Sequence, residues 1–123
     1  MLETARFVGF LGSTDLPRSK SFFEALGLPC VDESPFACVH DANGTPLRVS
    51  AVPELTPHPF TVAGWEVVDI GEAIDALAAA GVSPIRYDGM GQDDRGVWTA
   101  PGGAQIAWFA DPDANVLSVT QLP

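Results

Sequence analysis

Glu66 is the residue with the most open chemistry: a lone carboxylate in the run Phe60 to Val68, whose other members are Phe, Thr, Val, Ala, Gly and Trp. On an extended strand, side chains alternate between faces. Val62, Gly64 and Glu66 are therefore expected on one face and Ala63, Trp65 and Val67 on the other. A carboxylate on an apolar wall can anchor a cation, or act as a general base if its surroundings raise its pKa. The alternative is a carboxylate at the mouth of the strand, solvated or paired with Arg48 or Arg86. Cys38 and His40, two apart, also share a face. They read either as half of a metal site or thiolate–imidazole pair, or as a buried thiol beside a hairpin-edge histidine. Metal sites use three or four protein ligands, and His58 lies in a proline-rich segment of undefined direction. Nucleophilic catalysis needs an activating base and an oxyanion hole, and the chain has no Gly-x-Ser-x-Gly elbow. Trp98 and Trp108 fall in one predicted hairpin, where they either fill core or stack a planar ligand. Phe36 is a comparable candidate on another hairpin, and Trp65 is expected beneath a helix.

The elements that must position these residues are written twice. Gly27 follows Asp15 by 12 positions, as Gly81 follows Asp69, and an offset of 54 also places Val8 on Val62, Phe10 on Gly64 and Leu16 on Ile70. In each copy an apolar strand (Ala5 to Ser13, Phe60 to Val68) enters a helix capped by Asp15 or Asp69. Each helix ends at a glycine suited to the left-handed C-terminal position. Phe22, Phe23 and Leu26 form one apolar helix face, and Ile70, Ala73, Ile74 and Leu77 the other. Phe36 to His40 and Leu47 to Val52 are predicted strands around the hairpin signal Asn43-Gly44. Pro84 to Tyr87 is predicted to begin a strand. Val97 to Ala100 and Gln105 to Ala110 form a hairpin turning at Pro101 to Gly103, and Val116 to Gln121 follows the turn Asp111 to Asn115. Residues 89–96 read as a mobile loop over a cavity or as a plain solvated connection. The expectation is an α+β fold in one domain, residues 1–123. It consists of two βαβββ modules, 5–52 and 60–121, joined by a Pro-rich linker, 53–59. A cupped, mostly antiparallel sheet carries the helices outside, and its concave face is the expected binding site.

Hydrophobic residues make up 46% of the chain and charged residues 18%, so a packed core is expected. Six basic residues against 16 acidic ones give a net charge of -10, which repels nucleic acid and anionic lipid. No apolar stretch reaches the ~20 residues of a membrane span, and the N-terminus lacks the pattern of a secretory signal. A cytoplasmic protein is expected, with Cys30 and Cys38 as buried thiols.

Taken in order, these segments resemble the vicinal oxygen chelate superfamily, which includes glyoxalase I, extradiol dioxygenases, fosfomycin-modifying enzymes and bleomycin-resistance proteins. The resemblance covers nearly the whole chain. It is carried by Thr14-Asp15-Leu16 before Ser21-Phe22-Phe23, by Leu26-Gly27-Leu28, and by Val67-Val68-Asp69-Ile70 with Ala79-Ala80-Gly81-Val82. Its strongest part is Ala107 to Leu117, which is similar to the family's aromatic-x-Asp-Pro-Asp-Gly-Asn ending with Ala114 in place of the usual glycine. The resemblance implies a divalent ion held by His, Glu or Gln at positions that here are Val8, Val62 and Ser118, with a fourth near Arg48 or Ser50. Valine has no lone pair, arginine repels a cation and a lone serine hydroxyl is a poor ligand, so no metal and no other cofactor is expected.

The function these readings predict is capture of a small apolar or aromatic, and in one version cationic, molecule by a metal-free homodimer of the bleomycin-resistance type. The expected lining is Val8, Phe10, Phe36, Arg48, Val62, Glu66, Trp98 and Trp108, in a cavity between modules. The alternative is a metal-independent lyase, isomerase or hydrolase in which Glu66, with His40, moves protons.

Overall fold

The computed structural model describes residues 1–123, which divide into two compact units, Met1–Thr56 and Pro57–Pro123. The first contains β1 (Gly9–Ser13), α1 (Leu16–Ala25), β2 (Cys30–Glu33), β3 (Ala37–Ala42) and β4 (Thr45–Ala51). The second contains β5 (Thr61–Glu66), α2 (Ile70–Ala79), β6 (Trp98–Thr99), β7 (Gln105–Ala110) and β8 (Val116–Gln121). Each unit holds one four-stranded sheet, ordered β1-β4-β3-β2 and β5-β8-β7-β6. In both, the first strand pairs parallel with the last and the remaining pairs are antiparallel. The α+β class and the twofold βαβββ plan are as expected.

The helices repeat because their end signals are local. Asp15 accepts from the Arg18 N–H and Asp69 from the Glu72 N–H, each at 3.1 Å, which satisfies one orphan donor at either N-terminus. At the other end, Gly27 (φ +89°) and Gly81 (φ +80°) take the left-handed conformation. Leu28 N–H then donates to Phe23 O at 3.0 Å, and Val82 N–H to Leu77 O at 2.9 Å. These bonds close the same C-terminal motif in both helices.

One face of each sheet is covered by its helix. In the first unit, Leu11, Val49 and Cys38 form a cross-strand row that is almost fully buried together with Phe23 and Leu47. His40 lies in this core: its ring packs against Phe23 at 5.4 Å and its Nδ1 donates to Leu28 O at 2.7 Å. In the second unit, Ala63, Leu117 and Phe109 form the equivalent row, with Trp65 near Phe109 at 6.4 Å and α2 contributing Ile70, Ile74 and Leu77. Trp65 therefore faces the helix side, as its strand parity predicts.

Three local expectations are corrected. β1 begins at Gly9 rather than Ala5, so Val8 precedes the strand. Pro84 to Tyr87 is not a strand. Ile85 N–H donates to Trp108 O at 2.7 Å, but the neighbouring backbone groups are taken by a side chain: Gln92 accepts from Tyr87 N–H and donates to Ile85 O and Gly96 O. A single amide thus substitutes for a strand partner, and the fourth strand of this sheet is instead Trp98–Thr99. Cys30 and Cys38 are paired as a disulfide, not present as free thiols. Their strand β2 has no readable alternation in Cys-Val-Asp-Glu, and pairing to β3 with a register shift between Cys30 and Asp32 brings the sulfurs together.

Candidate functional site

The faces turned away from the helices carry most of the candidate residues. In the second unit, Gly64, Ser118 and Trp108 lie side by side across β5, β8 and β7. The next row on the same face is Glu66, Thr120, Ile106 and Trp98, running on to β6. Trp98 and Trp108 are 6.2 Å apart and tilted, and Tyr87 meets Trp108 edge-on at 5.5 Å. All three rings are half-buried. Such a cluster presents both ring faces and ring edges to whatever lies over the sheet. Tyr87 was not among the residues expected from sequence. Its signal was available, since an aromatic eleven residues before Trp98 can return to it only through a turn, but nothing local specifies that turn.

Gly64 forms the open part of this floor. A Cβ built there would stand 2.5 Å from Ser118 Oγ, so any side chain at position 64 would displace Ser118 or close the space above it. Glu66 lies exposed at the end of β5, and its side chain makes no hydrogen bond or ion pair. Neither Arg48 nor Arg86 is its partner; Arg86 donates to Asp94 O at 2.7 Å. Val62 occupies a register irregularity, because Thr61 pairs with Val116 and Ala63 with Leu117, leaving Val62 as the extra residue. Alternation counted from Val62 therefore lacks a ladder partner at its origin. Gly64 and Glu66 nonetheless share a face through Ser118 and Thr120.

In the first unit, the outward row is Phe10, Arg48, Val39 and Asp32. Phe10 is 64% exposed, and Arg48 is half-buried with no ion pair. Val8 is exposed just ahead of the strand, and Ser50 sits beside Gly12 and Ala37 on the outward face. Phe36, 74% exposed, stands one residue before β3, where its carbonyl accepts from Ala51 N–H at 2.8 Å. Cys38 and His40 do not belong to this face: both point into the helix-side core.

The positions at which the resemblance places metal ligands hold Val8, Val62, Ser118 and Arg48 or Ser50, a set with one or two hydroxyls and no imidazole, thiolate or carboxylate. That donor set does not fit a divalent transition metal. No group of three or more His, Cys, Asp or Glu side chains is placed to hold an ion.

The β7–β8 turn is a closed polar network. The Asp111 carboxylate accepts from Asp113 N–H, Asn115 N–H and Asn115 Nδ2 at 2.8 to 3.0 Å, and Ala114 takes a positive φ of 65°. Burial of Asp111 raises its pKa against the lowering effect of the Asn115 bonds, with the Asp113 charge raising it further. The turn needs only these bonds to account for its composition.

Two βαβββ units with helix-covered and open sheet faces define the architecture of the glyoxalase, bleomycin-resistance protein and dioxygenase group. The fold is shared with a bleomycin resistance determinant encoded on the transposon Tn5, at a TM-score of 0.76 and 20% identity over 97% of this chain and 98% of that one. It is also shared with a bleomycin-binding protein solved in complex with bleomycin, at 0.70 and 19% over 98% and 100%. A glyoxalase/bleomycin resistance protein/dioxygenase from Alicyclobacillus acidocaldarius gives 0.72 and 16% over 97% and 92%. At these identities the likeness is one of fold. No family model and no curated protein matches the sequence. No helix is long and apolar enough to cross a membrane.

Proposed function

We propose that this chain binds a small, planar, apolar or aromatic molecule on the open sheet faces, without a metal ion. The observation that carries the reading is the cluster of Trp98, Trp108 and Tyr87 beside the bare floor at Gly64. Stacking on half-buried rings removes apolar ligand surface from water, worth about 25 cal/mol per Å² before ordering costs. Glu66, on the same face and without a partner, supplies the negative charge that favours a cationic ligand. Phe10, Phe36, Val8, Val62 and Arg48 are the other contact candidates. An exposed carboxylate with no group to hold it is better suited to charge selection than to proton transfer, which disfavours the alternative of a lyase, isomerase or hydrolase. We further infer a single-domain protein acting as a cytoplasmic homodimer. The exposed Phe7 and Phe60 supply apolar surface that association would cover.

Bleomycin, the ligand of one structural neighbour, is the natural first probe. Titration should quench tryptophan fluorescence with saturation, and Trp108→Ala should shift the midpoint to higher probe concentration while leaving the far-UV spectrum unchanged. Glu66→Gln should weaken cationic probes and spare neutral ones. A panel of cationic and neutral aromatics that leaves Trp98 and Trp108 emission unchanged would overturn the assignment. Sedimentation or light scattering at micromolar concentration checks the dimer.

A further inference from the structure

Cys30 and Cys38 are eight residues apart with Cα atoms 6.4 Å apart, inside the range of roughly 4.4–6.8 Å that a disulfide spans. They join unequal partners. Cys38 is 1% exposed on the helix-facing side of β3, whereas β2 is a four-residue edge strand whose Val31, Asp32 and Glu33 are exposed and whose register is broken after Cys30. The segment between the sulfurs carries Phe36 at its tip and is held at the sheet edge by two ladder pairs, the Lys20–Glu33 ion pair, Ser34, whose hydroxyl accepts from the Phe36 and Ala37 N–H groups at 3.2 Å and whose N–H donates to Ala37 O, and the Ala51 N–H bond to Phe36 O. A cavity of about 210 Å³ opens beside the bridge, lined by Leu16, Pro17, Lys20, Glu33, Pro35 and Cys38 among others. It offers a small molecule a route to a sulfur that is otherwise covered.

One further group bears on the same place. His40 is fully buried, and because its Nδ1 donates to a carbonyl, its Nε2 is an acceptor; that nitrogen has no partner. Cys30 is its cross-strand neighbour. A buried acceptor left empty is costly, and a protonated thiol is a donor. The bridged form thus leaves His40 Nε2 unsatisfied.

We propose that Cys30–Cys38 is a reversible thiol-exchange site that clasps the β2–β3 hairpin, closed when bridged and released when reduced by a small thiol. A reductant thiolate entering the cavity attacks Cys38 Sγ. The S–S bond breaks, Cys30 leaves as a thiolate at the half-exposed edge where water stabilises its charge, and a mixed disulfide forms on Cys38. A second reductant thiolate attacks the reductant sulfur of that mixed disulfide and releases Cys38. In sum, two reductant thiols are oxidised to one disulfide, and the protein gains two electrons and two protons. What opens is local, because the core row behind β3 is packed by Phe23, Val49 and Leu47 independently of the bridge.

The test equilibrates the purified wild-type chain in glutathione buffers of stepped reduced-to-oxidised ratio. Aliquots are blocked with iodoacetamide for intact mass, and parallel samples are analysed by hydrogen exchange. The expected result is one reversible transition between an unlabelled bridged form and a doubly alkylated form. Exchange of the 30–37 peptide should quicken about tenfold across the same transition, with the β7–β8 peptides unchanged. In Cys30→Ser, oxidised glutathione should add to Cys38, which reports the cavity route. Absence of a bridged form at every ratio, a bridge whose opening leaves 30–37 exchange unchanged, global unfolding on reduction, or a Cys38 inert to oxidised glutathione would each overturn the proposal.

Discussion

Gly64 and Ser118 face each other across the parallel β5–β8 pair so closely that a methyl group on position 64 would come within 2.5 Å of the serine hydroxyl. The equivalent position in the first unit is Phe10, beside Arg48, so the two copies differ here between a large aromatic side chain and none. Gly64→Ala should lower stability by about 1–3 kcal/mol through overpacking. Ser118→Ala in that background should restore part of the loss. Urea denaturation of the single and double variants reads both values.

Ligand capture depends on the rings of Trp98 and Trp108 acting together. Trp98→Ala and Trp108→Ala should each weaken an aromatic probe by about 1–2 kcal/mol. The double variant should lose less than the sum, because residues in contact are not additive. Fluorescence or calorimetric titration gives the three affinities.

The N-terminal caps Asp15 and Asp69 make the same bond at the same distance, 3.1 Å. Asp15→Ala and Asp69→Ala should therefore each cost about 1 kcal/mol in thermal or urea unfolding. Asn at either position should recover most of it, since its side-chain oxygen still accepts. A large asymmetry between the two would mean that one cap acts through something other than its helix.

Asp111 gives a pH dependence of known sign. Its pKa in the folded chain is raised above the ordinary aspartate value of 3.8, chiefly by burial, so the folded state holds this proton more tightly than the unfolded state. Its contribution to stability is fully present below 3.8 and is lost as pH rises through the folded value. Asp111→Asn cannot titrate, so wild-type stability minus variant stability should fall across that window and then level off. The difference isolates Asp111 from the other acidic residues. A difference independent of pH would show that the carboxyl titrates normally.

What could be read from the residues alone follows from how local each signal is. Capping aspartates, left-handed glycines and alternating apolar strands act within a few residues of themselves, so both helices and the twofold order of elements were legible without any contact between distant segments. The parity of β5 likewise separated Trp65 from Gly64 and Glu66. Cross-strand register is different in kind, because it depends on which distant strand offers hydrogen bonds. Only the tertiary structure placed Tyr87 against Trp108, let Gln92 stand in for a strand partner along 84–87, and made Val62 the extra residue of a parallel pair. For the same reason it alone decided that Cys38 and His40 turn inward to the Phe23 core and that Cys30 reaches Cys38. A shift of one residue in β2 or β3 would have sent those side chains to the opposite face.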